Sequence, residues 1–330
     1  MKAWLWDGQA GLDHLNLDDA DDPVPADDEV VLELDYSALN PADQYLAEGR
    51  YPYPVHPPLP HVLGRDGLGT VIAVGRDVAG VAVGDRRAIL RGDVGVFRWG
   101  TFAQRVAMSA RTLIEIPQGW SDEHAAGATL VYLSAYHALT LWEPLQPGSV
   151  VLVTGASGGV GVAAVQLASA MGHTVIALSR SEEKQLRLTE IGASLAVDPH
   201  DTQWRERVTD YLDGRAVNLA VDNIGGKLLP EVIGTLGELG RVSCVGNLGG
   251  PVPEFDTGTL FSRRIRIAPM ALGYYTPEQN HAAWKAIVET LDEAGARPVI
   301  DRVFPFEHLP QAFERLAAGP MGKVLLQISR

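Results

Sequence analysis

The chain has one cysteine, Cys244, in 330 residues. That count excludes an internal disulfide and any zinc cluster built from several thiolates. Positive charge is also scarce: 27 lysines and arginines stand against 41 aspartates and glutamates, for a formal net charge of −14. Nucleic-acid binding draws on clustered basic residues, so no nucleic-acid partner is expected. Apolar runs stay short of the roughly 18 to 20 residues that a membrane span requires, and no membrane partner is expected. The start, MKAWLWDGQAGLDHLNLDD, lacks a long apolar core and carries acids where a secretory signal has its cleavage site, so a cytoplasmic protein is expected. Internal repeats and low-complexity tracts are missing.

What is there has the balance of an ordinary globular protein, 46% hydrophobic and 21% charged. A chain of 330 residues exceeds the size at which single cores stop growing, so two domains are expected. EVVLELDYSAL (Glu29 to Leu39) and GTVIAVGRDVAGVAVGDRRAIL read as strands punctuated by Gly and Asp. In RYPYPVHPPLPH the prolines at 52, 54, 57, 58 and 60 preclude a helix or a central strand and predict an extended surface segment. From Ser121 the texture changes. Ser121 suits an N-cap, Asp122 and Glu123 suit a first turn, and an apolar stripe follows. Strand SVVLVTG, a helix over Val160 to Met171 and strand HTVIALS come next. After them come helix SEEKQLRLTEIG, strand SLAVD, helix DTQWRERVTDYL, strand VNLAVDN, helix GKLLPEVIGTLGE and strand GRVSCVG. Such alternation predicts a parallel sheet covered on both faces. The end, from Val299 on, predicts a helix between two strands that returns to the first domain. Cys244 falls inside an apolar strand and reads as packing.

The sharpest motif is VLVTGASGGVGVAAVQLA, Val151 to Ala168, in which a strand runs through a glycine turn into a helix. That is the context of a dinucleotide fingerprint, with Ala156, Gly158 and Gly161 in the three glycine slots. Gly158 lets the backbone approach a pyrophosphate, and Gly161 lets the helix pack on the sheet. The backbone amides of Ala156, Ser157, Gly158, Gly159, Val160 and Gly161 and the helix dipole supply the attraction. At the end of the second strand an NAD enzyme keeps an acid for the ribose hydroxyl. Here Ser179, Arg180 and Ser181 stand with Lys184 one turn on, which suits a 2′-phosphate and predicts NADPH, although Glu182 and Glu183 follow at once. Asn223, Gly246 and Asn247 follow the fourth and fifth strands, at the carboxyl edge where such sheets bind ligands.

Seven segments in order carry a wider likeness: NPADQYLAEGRYP, GRDGLGTVIAVGRDVAGVAVGDR, GTFAQRVAM, AAGATLVYLSAYHAL, VLVTGASGGVGVAAVQLA, VDNIGG and GKVLLQI. Over nearly its whole length the chain resembles the zinc-free quinone oxidoreductases, the zeta-crystallin-like family of the medium-chain dehydrogenase/reductase superfamily. The resemblance implies an α/β protein with a GroES-like β-barrel catalytic domain over residues 1–121 and 271–330. It implies a Rossmann-fold, doubly wound parallel-sheet domain over 122–270 that binds NADPH in the cleft between them. It also implies a homodimer paired through the edge strand RRIRIAPMAL, and a small-molecule substrate, a quinone or an enone.

The same resemblance places Asn40, Tyr45 and Tyr51 around the nicotinamide and substrate, and sets Ser134, with Tyr136 nearby, on the helix that meets the nicotinamide. Tyr51 also matches the catalytic tyrosine of 2-enoyl-thioester reductases and is the expected proton donor, because a phenol is a neutral donor at pH 7. Each tyrosine has the alternative of a ring packed under the proline-rich loop. Zinc-dependent relatives carry a cysteine where this chain has Ala38 or Leu39, and His-Glu where it has Arg65 and Asp66. His56, His61 and Asp66 offer three donors at most, beside an arginine that repels a dication, so no metal is expected. Arg65 and Asp66 are instead expected to pair with each other, and Asp43 to bond the backbone locally. His137 has no evident acid partner. Ala47 replaces the arginine of the quinone reductase pattern and leaves the choice of quinone open. The activity expected is metal-independent, NADPH-dependent reduction of quinones or α,β-unsaturated carbonyls. The alternatives are a 2-enoyl-thioester reductase and a non-catalytic NADPH-binding protein.

Overall fold

The computed structural model describes residues 1–51, 54–92, 94–251, 254 and 256–329. Pro52, one of the five prolines read as an extended segment, lies outside the described residues, while Pro54 to Pro60 carry no helix or strand. The chain divides into two compact units, one of residues 1–130, 277–281 and 298–330 and one of residues 131–276 and 282–297.

The first unit opens with β1 (Lys2–Trp6), β2 (Leu15–Asp19), β3 (Glu29–Ala38), α1 (Pro41–Ala47), β4 (His61–Val62) and β5 (Asp66–Val74). It continues with β6 (Arg86–Ile89), β7 (Arg105–Ser109) and β8 (Leu113–Ile114). Helix α2 (Asp122–Thr140) then carries the chain into the second unit, so the division falls inside a helix that begins where the sequence texture changes. The backbone amide of His124 donates to Ser121 Oγ at 3.2 Å, the N-cap expected there. The second unit holds β9 (Val150–Val153), α3 (Gly159–Ala170), β10 (Thr174–Leu178), α4 (Glu182–Glu190), β11 (Leu195–Val197) and α5 (Trp204–Leu212). After these come β12 (Val217–Asp222), α6 (Leu228–Thr235), β13 (Leu236–Cys244), α7 (Gly258–Arg263), β14 (Arg266–Pro269) and most of α8 (Pro277–Glu293). Finally β15 (Ile300–Pro305), α9 (Leu309–Ala317) and β16 (Lys323–Gln327) belong to the first unit, the return read from the sequence.

In the second unit the strands form one parallel sheet in the order β11-β10-β9-β12-β13-β14. All four residues of β9 are buried, as a strand covered on both faces requires. Trp204, Val208 and Leu212 of α5 share a core with Val150, Leu152, Ile176 and Leu178 of the sheet. One element differs from expectation: the helix read through Glu238 stops at Thr235, and Leu236–Cys244 is strand. Gly237 and Gly240 weaken helix there, and pairing with β12, begun at Val217 and Leu236, takes over.

In the first unit β15-β16-β3-β5-β6-β8 form a sheet, with β7 also on β3, beside a smaller sheet β2-β1-β4. Antiparallel pairing sets Ala38 of β3 opposite both Asp66 of β5 and Leu325 of β16. Three distant stretches thus meet where β3 ends and α1 begins.

Strand β4 pairs His61 with Trp6 and leaves the imidazole 0% exposed, with no hydrogen-bond partner for either ring nitrogen. Burial is the main influence and holds the ring down to about 4; the Gly95 backbone pulls the other way without reaching hydrogen-bond geometry. The unfolded chain takes up a proton near 6.5, the folded state only near 4, so the unfolded state binds the extra proton in between. Stability is therefore full above that window and is lost as pH falls through it, by at most about 1.4 kcal/mol per pH unit. Urea unfolding at about pH 6.5 and about pH 5 should show a steeper loss for the wild type than for His61→Leu; equal losses would remove His61 as the cause.

Candidate active site

Helix α1 starts on Asn40 with Pro41 in its first position, an entry that proline's fixed φ favours. Asp43, 0% exposed, accepts the Asn40 backbone amide on Oδ2 at 2.9 Å, the local bond expected of it. Its Oδ1 accepts from Arg65 Nε, also at 2.9 Å. Arg65 is itself buried; its Nη2 donates to the Ala42 carbonyl at 3.2 Å and its Nη1 to the Tyr51 hydroxyl at 2.8 Å. The expected Arg65–Asp66 pair is therefore corrected. Arg65 lies just before β5 and reaches Asp43 of α1, while Asp66, the first residue of β5, turns to a different partner.

That partner is Lys323, at the start of β16, whose Nζ donates to Asp66 Oδ2 at 3.1 Å, to Asn40 Oδ1 at 2.7 Å and to the Leu39 carbonyl at 2.9 Å. Asn40 Nδ2 adds a bond to Asp66 Oδ2 at 3.0 Å, and Thr129 Oγ1 of α2 donates to Asp66 Oδ1 at 3.2 Å. Lysine has three N–H bonds to give, and all are used. Burial, the largest influence on Asp43, pushes its carboxyl above the ordinary range, and Arg65 and the Asn40 amide oppose it. Both carboxyl oxygens accept from N–H donors, an arrangement that suits the carboxylate, and the guanidinium opposite is held in its charged form by Asp43 and Tyr51 against the cost of burial.

Two of the three residues expected around the substrate thus belong to one buried network. Asn40 spends its side-chain amide inside that network, and Tyr51 joins it through its hydroxyl. The Tyr51 ring also packs against the apolar cluster of Leu46, Val62 and Phe102, so ring packing and a held hydroxyl occur together. Tyr45 stands apart, half-buried on α1 with the Arg50 guanidinium carbon 4.8 Å from its ring centroid. Burial raises its phenol above the ordinary value.

In the second unit, the turn after β9 has the expected form. Gly158 is the N-cap of α3, and a Cβ on it would meet only the Gly155 carbonyl oxygen at 3.5 Å, which leaves the outer side of the turn open. A Cβ on Gly161 would instead run into Ala156 Cα at 2.6 Å, so α3 can lie this close only with glycine there. Ala156, Ser157, Gly159 and Val160 complete the turn. Ser179 at the end of β10 is buried and Arg180 exposed; Ser181 caps α4 by accepting from the Lys184 amide at 3.4 Å. No acid intervenes before the exposed Glu182 and Glu183. Asn223 follows β12 and donates to the Thr154 carbonyl at 2.8 Å, while its Oδ1 is buried without a partner, an acceptor waiting for a donor. Gly246 and the exposed Asn247 follow β13, so these groups all stand at the carboxyl ends of parallel strands. Ser134 is buried midway along α2, and Tyr136 is half-buried two residues on. His137 is buried with its ring stacked on Tyr275 at 3.6 Å, and burial lifts the Cys244 thiol to about 11, so that it packs as expected.

Sequence reasoning missed Lys323, Thr129 and Asp222. Asp222 is buried and accepts from Thr154 Oγ1 at 2.6 Å and from the Ile224 and Gly225 amides, thereby shaping the loop that carries Asn223. A lysine opening the apolar run KVLLQI, and an aspartate ending VNLAVD, were the signals available.

The donors do not suit a zinc ion. Arg65 is a cation, Asp66 is bound to a second cation, His61 is buried apart and His56 is exposed. Among the described residues no group of three or more His, Cys, Asp or Glu side chains could share a metal. Likewise, no helix among them is long and apolar enough to cross a membrane. Replacing Lys323 by Met would strand a buried carboxylate, and the urea midpoint should fall by the equivalent of about 3 to 5 kcal/mol; a shift under about 1 kcal/mol would mean that the pair is not a structural anchor.

Comparison with known proteins agrees with the fold. Residues 26–118 match the alcohol dehydrogenase GroES-like domain, and residues 159–302 match the zinc-binding dehydrogenase family. The human quinone oxidoreductase is 26% identical over 310 residues, 92% of this chain and 90% of that protein. A crystal structure of an NAD-dependent alcohol dehydrogenase superposes with a TM-score of 0.91 at 30% identity, covering 100% of both chains. A mycobacterial protein solved with NADPH gives 0.89 at 26% identity, covering 99% of this chain and 100% of that one. The chain belongs to the medium-chain dehydrogenase/reductase superfamily, in its quinone oxidoreductase-like group, with a GroES-like domain and a Rossmann-type parallel sheet.

Proposed function

We propose that this chain is an NADPH-dependent reductase that acts on quinones or α,β-unsaturated carbonyls without a metal ion. The observation that carries this reading is the Tyr51 hydroxyl held at 2.8 Å by the buried Arg65, where zinc-dependent relatives keep a metal-binding histidine. When bound, the cofactor supplies a hydride. Reduction of a conjugated carbonyl then needs a donor for the oxygen on which negative charge gathers. Tyr51 fills that role, as the proton donor. Asn40 fixes the start of α1 from which the Tyr51 loop departs, and Tyr45 contributes a half-buried aromatic wall.

The residues of the second unit fit the cofactor. The open side of Gly158 and the start of α3, with Ala156, Ser157, Gly159, Val160 and Gly161, suit a pyrophosphate at a helix N-terminus. Ser179, Arg180, Ser181 and Lys184 suit a 2′-phosphate, in keeping with the relative solved with NADPH, although another neighbour is described as NAD-dependent. Asn223 with its unpartnered Oδ1, Gly246, Asn247 and Ser134 complete the set on the cofactor side. A homodimer joined through β14 suits this sheet. That strand ends the sheet order, and Phe261 on α7, which precedes it in sequence, is 82% exposed.

Purified protein mixed with NADPH and a panel of quinones and enones should consume the reduced cofactor; no consumption with any member would contradict the reading. In the same assay, replacing Arg180 and Lys184 together by Ala should raise the KM for NADPH about tenfold or more while leaving that for NADH nearly unchanged. Equal effects on both cofactors would remove the 2′-phosphate assignment.

A further inference from the structure

We propose that Arg65, fixed in place by Asp43, is a positioning residue that aims the Tyr51 hydroxyl and stabilises the charge left on it when its proton moves to substrate. This rests on the reading of Tyr51 as proton donor. Three observations carry it. First, a guanidinium has only donors, so in the 2.8 Å bond the phenol oxygen must accept, which turns its O–H away from Arg65. Second, Arg65 is held by three different groups: Asp43 at Nε, the Ala42 carbonyl at Nη2 and Tyr51 at Nη1. A planar fork tied at each nitrogen cannot swing, so the direction of the bond to Tyr51 is set before substrate arrives. Third, Arg65 is 5% exposed and Asp43 0%, so little water screens the charge at the phenol oxygen.

The step balances with the hydride that NADPH would supply, its C–H bond breaking as the substrate C–H bond forms, and with a proton from solvent. Hydride adds to the β-carbon of the conjugated substrate, the C=C electrons shift toward the carbonyl oxygen, the Tyr51 O–H bond breaks and a substrate O–H bond forms. The phenolate left behind lies against the Arg65 guanidinium and takes back a proton from water. Asp43 neutralises Arg65 in the resting protein, so the three groups together carry no net charge until the proton leaves Tyr51.

A double-mutant cycle tests this. Asp43→Asn with Arg65→Met removes both buried charges together, and Arg65→Lys keeps the charge while losing the fork. In the Tyr51 background each change should lower kcat about tenfold or more, with the NADPH Kd unchanged. In the Tyr51→Phe background neither should lower kcat further by more than about twofold. Equal losses in both backgrounds would overturn the inference, because Arg65 would then act on the fold rather than through Tyr51. Full activity of the Arg65 variants, with Tyr51→Phe impaired, would overturn the inference and spare the reading of Tyr51. An unimpaired Tyr51→Phe enzyme would overturn that reading itself. Loss of NADPH affinity in Arg65→Lys would point to a structural role and count against the inference.

Discussion

The ammonium of Lys323, buried in the first unit with all three of its protons committed, is the constraint on which the rest of that unit depends. It draws the end of β3, the N-cap of α1 and the first residue of β5 onto the first residue of β16. A buried ion pair contributes little net stability over apolar packing, yet breaking one is costly, so it acts as a test of register. Only when the C-terminal strand arrives in the right place do Asp66 and Asn40 find their cation. From Asn40 the order passes to Asp43 through the helix cap, then to Arg65 and to Tyr51. The hydroxyl of Tyr51 is thereby tied to the sheet.

The second unit solves a different problem by different means. Its central strand β9 is apolar and buried, and the polar groups proposed to meet the cofactor follow the ends of strands. There, glycine sets how near the backbone approaches, Asp222 pins the loop after β12, and Asn223 is left with an unpartnered acceptor. Shape and backbone donors do the work that charges do in the first unit.

This contrast explains what was legible in the sequence. The second unit follows from local patterns, since strand, glycine turn and helix lie within eighteen residues of one another and each βα unit repeats the period. The helix end misread at Leu236 lies where sheet pairing overrode a weak helical signal, and the unit itself runs over 131–276 and 282–297 rather than the expected 122–270. The first unit rests on contacts between residues far apart in sequence, Lys323 with Asp66 and Arg65 with Asp43, that no periodicity announces. Adjacency in sequence suggested that Arg65 and Asp66 pair, and the fold gives them different partners, Asp43 and Lys323. Tyr51 and Asn40 were reached through family resemblance; the bonds that tie them together came from the fold.

Amide hydrogen exchange tests most directly whether this network is one cooperative unit. If the chain of bonds runs as described, the amides of Leu39, Asp43, Leu68 and Leu325 open together in the wild type, and in Lys323→Met all four lose protection by the same factor. Loss of protection confined to β16, with Leu39, Asp43 and Leu68 unchanged, would contradict the account.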